Sequence, residues 1–305
     1  MNADAQPNAV TDPRFESQAI ADSPTRPTRP FFWSVRRELW ENRSIYIVPL
    51  IAAGFIILAA LVGSVPGNGI VIAHNGRAEH LAVPQQLEIV SMVIMGVTLI
   101  VAVFYCLDAF YGERRDRSIL FWKSLPVSDT TATLAKATIP LVVVPVVTFV
   151  IAAVTQWIVL AIDAASLAAH GGTLGHVPML QMQAGLLYHL ITVHSLWYAP
   201  IFAWFLLVSA FAPKAPILWA VLPPIFIEIL ESIAFHTSYF SRFLSYRFAG
   251  APAGDAGGSM DMSGGPAAGM TPGHFLASPG LWSGLLLAAI FLAAAVQLRR
   301  YRSPS

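Results

Sequence analysis

Six stretches of this chain are almost uninterrupted hydrocarbon: 45–65, 89–111, 138–162, 185–211, 217–235 and 281–298. Each reaches or approaches the roughly 20 residues with which a helix, rising about 1.5 Å per residue, crosses about 30 Å of bilayer core. In lipid every backbone N–H and C=O must find its partner inside the protein, which leaves helices or closed barrels. A barrel would need many alternating strands of about ten residues, and these stretches do not alternate. The fold class read from the sequence is therefore an all-α polytopic membrane protein with six transmembrane helices. Only 11% of the 305 residues are charged, where a soluble domain carries about a quarter.

The basic residues set the orientation. Of the eighteen Lys and Arg, all but Arg77, Arg242 and Arg247 fall in segments that share one side when the spans alternate. Positive charge stays on the cytoplasmic side, so both termini are expected to be cytoplasmic, in a bacterial inner membrane. The fifth span, the weakest of the six, is needed for this: without it Arg299, Arg300 and Arg302 would face outward. With seventeen acidic residues the net charge is +1, so no nucleic-acid partner is expected. The single cysteine, Cys106, excludes an internal disulfide and a cysteine metal cluster.

Around the spans, residues 1–30 are too rich in Pro and polar residues to form a core and read as a disordered tail. No short apolar core with a cleavage site precedes the first span, which is expected to remain as an anchor. Residues 31–44, FFWSVRRELWENRS, mix Trp33 and Trp40 with Arg36 and Arg37, as suits an amphipathic helix at the headgroup level. The outer connection 236–280, Gly-rich and flexible from 250, carries Met260, Met262, Met270 and His274. Thioethers suit Cu(I), but such loops collect these residues by chance and no metal is assigned. Residues 299–305 form a basic cytoplasmic tail.

The densest charge lies in the cytoplasmic loop 112–137. Glu113, Arg114, Arg115, Asp116 and Arg117 adjoin an apolar run containing Phe121 and Trp122, followed by Lys123 and Pro126. A segment charged at one end and aromatic at the other forms a short helix along the membrane, ended by the proline, with Ser128 and Asp129 capping the helix into span three. Such a knob offers a soluble partner side chains to bury within a ring of charge. A plain positive loop with interfacial aromatics is the competing reading.

The run Gly112 to Pro126, GERRDRSILFWKSLP, resembles the signature of bacterial type-2 ATP-binding cassette (ABC) permeases. Similar elements are 32–44, with its Arg-Arg-Glu-Leu-Trp-Glu-Asn core, FYCLD at 104–108, LWAVLPP at 218–224, AFHTS at 234–238 and LRRYR at 298–302. The resemblance implies a six-helix homodimeric exporter subunit with both ends inside. It also implies a coupling helix, Arg114 to Pro126, that engages a separate ATPase subunit holding ATP and Mg. Residues 31–44 would be the amphipathic connecting helix. Independently of it, the three lysines follow Trp122, Ala135 and Pro213, so the chain has no P-loop. It is not expected to be an enzyme or to hold a cofactor.

Span five carries Glu228 and Glu231, one helical turn apart, and span four puts His189 and His194 at comparable depth. A carboxylate in lipid costs about 2.5 to 3.5 kcal/mol, so these four residues are the candidate translocation path, with a His–Glu contact between the spans. Five apart on an α-helix, the histidines point about 140° from each other, which argues against a shared metal. Pro223 and Pro224 interrupt the helix just before the glutamates. Besides the exporter subunit, two other functions fit the sequence: a proton-coupled secondary transporter using the glutamates, and a membrane enzyme, against which the missing H-E-x-x-H and G-x-S-x-G motifs count.

Overall fold

The computed structural model describes residues 30–63, 71–74, 77–80, 83–116, 128–169, 171, 175–248 and 272–301. The expected tail at 1–29, the coupling segment 117–127 with Arg117, Phe121, Trp122, Lys123 and Pro126, the Met-rich stretch 249–271 and the last four residues lie outside them, as does the side chain of His274.

The protein is an all-α polytopic membrane protein. Helix α1 (Pro30–Glu41) precedes α2 (Ser44–Gly63), the first span. A two-stranded antiparallel hairpin, β1 (Val71–His74) with β2 (Arg77–His80), pairs Val71 with His80 and is the one addition to an all-helical plan among the described residues. Span two is α3 (Val83–Asp108), prolonged by the short α4 (Tyr111–Arg115). Span three runs from α5 (Asp129–Thr138) through a π-helical turn at Ile139–Val143 into α6 (Val144–Ala169). Span four joins α7 (Met179–His189), a π-helical segment Leu190–Trp197 and α8 (Ala199–Phe211). Then come α9 (Pro216–Phe235), α10 (Tyr239–Phe248), the one-turn α11 (Pro272–Ala277) and α12 (Pro279–Tyr301). Five of these continuous helices are long and apolar enough to cross a membrane, and the bent span four makes six.

The irregularities follow from proline. Pro140 has no N–H to give to the helical ladder, and the chain widens there into i→i+5 bonding. Pro200, at the start of α8, likewise clashes with the carbonyl four residues back, and span four bends by 46° at Tyr198. Hydroxyls buried in the spans return to their own helix: Thr98, Thr148 and Thr155 donate to the carbonyls of Ile94, Val144 and Ile151. Between spans, Gln156 Nε2 donates to Ser91 Oγ at 2.7 Å and to the Leu87 carbonyl at 3.1 Å. Small side chains allow close approach elsewhere, Ala199 and Ala203 of α8 meeting Ala288 of α12.

Span five is the outlier. Of α9 only Ala220 is buried, where its carbonyl accepts from Trp204 Nε1 at 3.1 Å. Both ends of α9 are set by left-handed residues, Ala215 at φ 46° and His236 at φ 50°, which turn the chain sharply without glycine.

Helices α10 and α11 pack at the end of the bundle where α12 begins. There Trp197 is fully buried among Phe275, Leu281 and Tyr246. A Cβ at Gly284 would collide with the Arg247 guanidinium, and one at Gly280 would lie 2.7 Å from the Tyr246 hydroxyl. Gly284→Ala is expected to lower stability by about 1 to 3 kcal/mol through this overpacking, read as a fall in the thermal midpoint of the purified protein.

Candidate functional site

The strongest concentration of buried charge sits where α1, α4, α5 and the end of α12 meet. Its centre is Glu38, 1% exposed. Glu38 Oε1 accepts from Arg37 Nη2 at 2.6 Å and from Lys136 Nζ at 2.9 Å, and Oε2 accepts from the Tyr105 hydroxyl at 2.9 Å. Glu113 extends the array: its Oε1 lies 3.1 Å from Lys136 Nζ and 3.2 Å from Arg37 Nη2, and its Oε2 accepts from Arg299 Nη1 at 3.0 Å. Arg299 Nε in turn donates to Asp129 Oδ1 at 2.9 Å. Phe110 closes the floor, its ring centroid 5.4 Å from Lys136 Nζ and 5.7 Å from Arg299 Cζ. Three cations thus face three carboxylates.

Local sequence explains each placement. On α1, Trp33, Arg36 and Trp40 recur at helical spacing and lie exposed, with Arg36 stacked over both rings at 5.2 and 4.4 Å. This puts Glu38 on the opposite face, against the bundle. The helix is inverted relative to one on a soluble protein: aromatics outward, carboxylate inward, as an interfacial position demands. Ser128 caps α5, its Oγ accepting from Thr131 N at 3.1 Å, and two turns later the helix buries Lys136 between Ala135 and Ala137. Arg114 fixes α4 to span four through the carbonyls of Ser209 at 2.5 Å and Ala212 at 2.9 Å. Arg115 and Asp116 pair with each other at 3.0 Å, fully in the open.

The loop between spans two and three therefore leaves and returns through the network, with Glu113 on its outgoing side and Asp129 on its return.

Burial alone would push the Glu38 carboxyl up, but Lys136 and Arg37, by charge and by hydrogen bond, outweigh it and hold it below the usual glutamate range. A carboxylate held low contributes stability above its ordinary pKa of 4.5 and loses it as pH falls through the lowered value. The thermal midpoint of the wild-type chain should therefore drop below pH 4.5, with that part of the drop absent in Glu38→Gln.

The four expected path residues separate into two groups. His189 and His194 come together, ring centroids 5.7 Å apart, because the π-helical segment bonds i to i+5 and stacks residues that an α-helix would splay. This corrects the 140° expectation. Glu231 serves the chain that follows: its Oε1 accepts from Thr237 Oγ1 at 2.7 Å and Tyr239 N at 2.6 Å, and its Oε2 from Phe240 N at 2.8 Å. It holds the N-terminus of α10, where free N–H groups favour an anion. Glu228 is half-buried on α9, which packs on α8 and α3. The expected His–Glu contact is not one the described side chains make. Among the described residues no cluster of three metal-ligating side chains occurs.

Sequence reasoning missed Glu38 and Lys136 as site residues. A signal was present for Glu38, which lies on the face of α1 opposite Trp33, Arg36 and Trp40. Comparison of the chain with protein-family models, curated proteins and solved structures gave no match.

Proposed function

We propose that the chain is the permease subunit of an ABC exporter of the inner membrane, working as a homodimer with both termini in the cytoplasm. A separate ATPase subunit would supply the energy of ATP hydrolysis. The observation that supports this best is the anchoring of the loop 112–137. A loop that only marked the cytoplasmic side would have no need of a buried six-charge network at its base, since buried ion pairs add little stability over apolar packing. A loop that receives mechanical work needs its ends rigidly joined to the spans it moves. In this reading Arg114 to Pro126 is the docking segment, Phe121 and Trp122 the buried anchors, Arg115, Asp116, Arg117 and Lys123 the rim. The network turns docking motion into movement of α1, spans two and three, and α12 together. The proton-carrier reading draws no such support, since both oxygens of Glu231 are engaged in the turn after α9.

Tagged full-length chain purified from its native membranes should bring down a P-loop polypeptide, recognised by its peptide sequence, together with ATP hydrolysis. Transport by the chain without any ATPase, abolished by collapse of the proton gradient, would contradict the proposal.

A further inference from the structure

The outward face of α1 is aromatic and basic. Trp33 and Trp40 stand 55% and 62% exposed, with Phe31 and Phe32 exposed beside them. Phe32 packs edge-on against Trp33, ring centroids 5.8 Å apart. The guanidinium of Arg36, itself exposed, bridges the two indoles, 5.2 Å from the centroid of Trp33 and 4.4 Å from that of Trp40. The stack is formed and open as it stands.

Its depth follows from connectivity. Only Asn42 and Arg43 separate α1 from α2, whose Ile47, Leu50, Ile51 and Phe55 are exposed along the first span. Those side chains meet hydrocarbon, so the span fixes the end of α1 at the headgroup layer. Arg36, Arg37, Glu38 and Glu41 keep α1 itself out of the hydrocarbon. Exposed indoles are most stable at that level, where one edge is apolar and the other wet.

The charge of this face is set by what the helix turns inward. Glu38 is held in the ion network, and Glu41, the other acid of α1, lies 3.6 Å from Arg37. Arg36 and Arg43 face outward. A guanidinium takes phosphate oxygens two at a time and is weakly hydrated, and stacking between indoles holds that of Arg36 in place. A zwitterionic headgroup carries its own cation beside the phosphate. A headgroup with net negative charge does not, and is the better match to basic residues at the surface.

We infer that the outer face of α1 binds anionic phospholipid headgroups. Arg36 and Arg43 are the phosphate ligands, and Trp33 and Trp40 are the ring anchors. The inference goes beyond the permease reading and does not rest on it, since it requires α1 at the bilayer surface and no ATPase.

The test places the full chain in phosphatidylcholine nanodiscs containing a minor share of lipid brominated near the ester end of its chains, either phosphatidylglycerol or phosphatidylcholine. Tryptophan quenching is read in each, and subtracting the double variant Trp33→Phe with Trp40→Phe isolates the two α1 indoles. In wild type that signal should show phosphatidylglycerol preferred by roughly fivefold or more, the scale of one arginine at an anionic surface. The preference should fall as salt is raised. Arg36→Gln with Arg43→Gln should abolish it, and the corresponding double Lys variant should keep part of it. Both positions are exposed, so the variants are expected to fold as wild type does. Should the Gln variant not elute as a folded species, the salt dependence and the Lys variant carry the test. Equal quenching by the two lipids in wild type overturns the inference, as does a preference that persists in the Gln variant. Inorganic phosphate at constant ionic strength should leave the preference intact; its loss would assign the face to a soluble anion and overturn the lipid surface. Quenching of these indoles by neither lipid would give the face to another occupant, such as the acidic residues of 1–29 or a soluble protein, and likewise overturn it. Copurification of an ATPase is read separately and bears on the permease alone.

Discussion

Lys136→Met is expected to destabilise the folded protein by about 3 to 5 kcal/mol, the range for removing one partner of a buried ion array. The ammonium stands between Glu38 Oε1 at 2.9 Å and Glu113 Oε1 at 3.1 Å. Without it, two buried carboxylates share Arg37 alone on that side. The loss is read as a fall in the thermal midpoint of detergent-purified protein, followed by size-exclusion recovery after heating. The double variant Glu38→Gln with Lys136→Met removes opposite charges together and should be less destabilised than the two single effects added, since residues in one network do not act independently. A single-variant loss below about 1 kcal/mol would mean that water reaches the array and screens it, as at exposed pairs.

The second large effect concerns the proposed docking segment, 114–126. Trp122→Ala is expected to reduce the copurified ATPase at least tenfold, the scale of a buried aromatic hot spot worth about 2 kcal/mol or more. Arg115→Ala should matter less: its side chain is exposed and paired with Asp116, a rim position that shifts association rate and salt dependence more than affinity. Stability should be untouched in both variants, which separates docking from the network that anchors it.

How much of this was legible in the sequence varies with the physics behind each feature. The spans were, because about twenty apolar residues in a row admit few alternatives in lipid; each apolar stretch lies largely in described helix, with a break at 109–110 and a bend in span four. Ser128 as a cap was legible from residue type alone. The pairing of His189 with His194 was not: it depends on a π-helical segment that forms ahead of Pro200, and a projection at 3.6 residues per turn sends the rings apart. The ion network was half legible. Glu113, Arg114 and the amphipathic α1 were singled out, but the partners of Glu38 lie 67 and 98 residues away, and nothing local pairs Lys136 with them. Arg247 was counted only as one of three basic residues on the outer side. Its burial follows from α10 folding back against Trp197, which the sequence of α10, rich in Ser, Arg and aromatics, does not announce.

The lone cysteine provides the most direct measurement of the central claim, that the loop between spans two and three docks an ATPase. Cys106 is 0% exposed, so a new cysteine will be the one that reacts with a thiol reagent. Trp122→Cys, treated in native membranes with a thiol-to-photoreactive crosslinker, should yield an adduct whose second component is a P-loop ATPase. Ser245→Cys, at the opposite end of the bundle, should give none. Labelling of Trp122→Cys without an ATPase adduct, or equal adducts from both positions, would contradict the account.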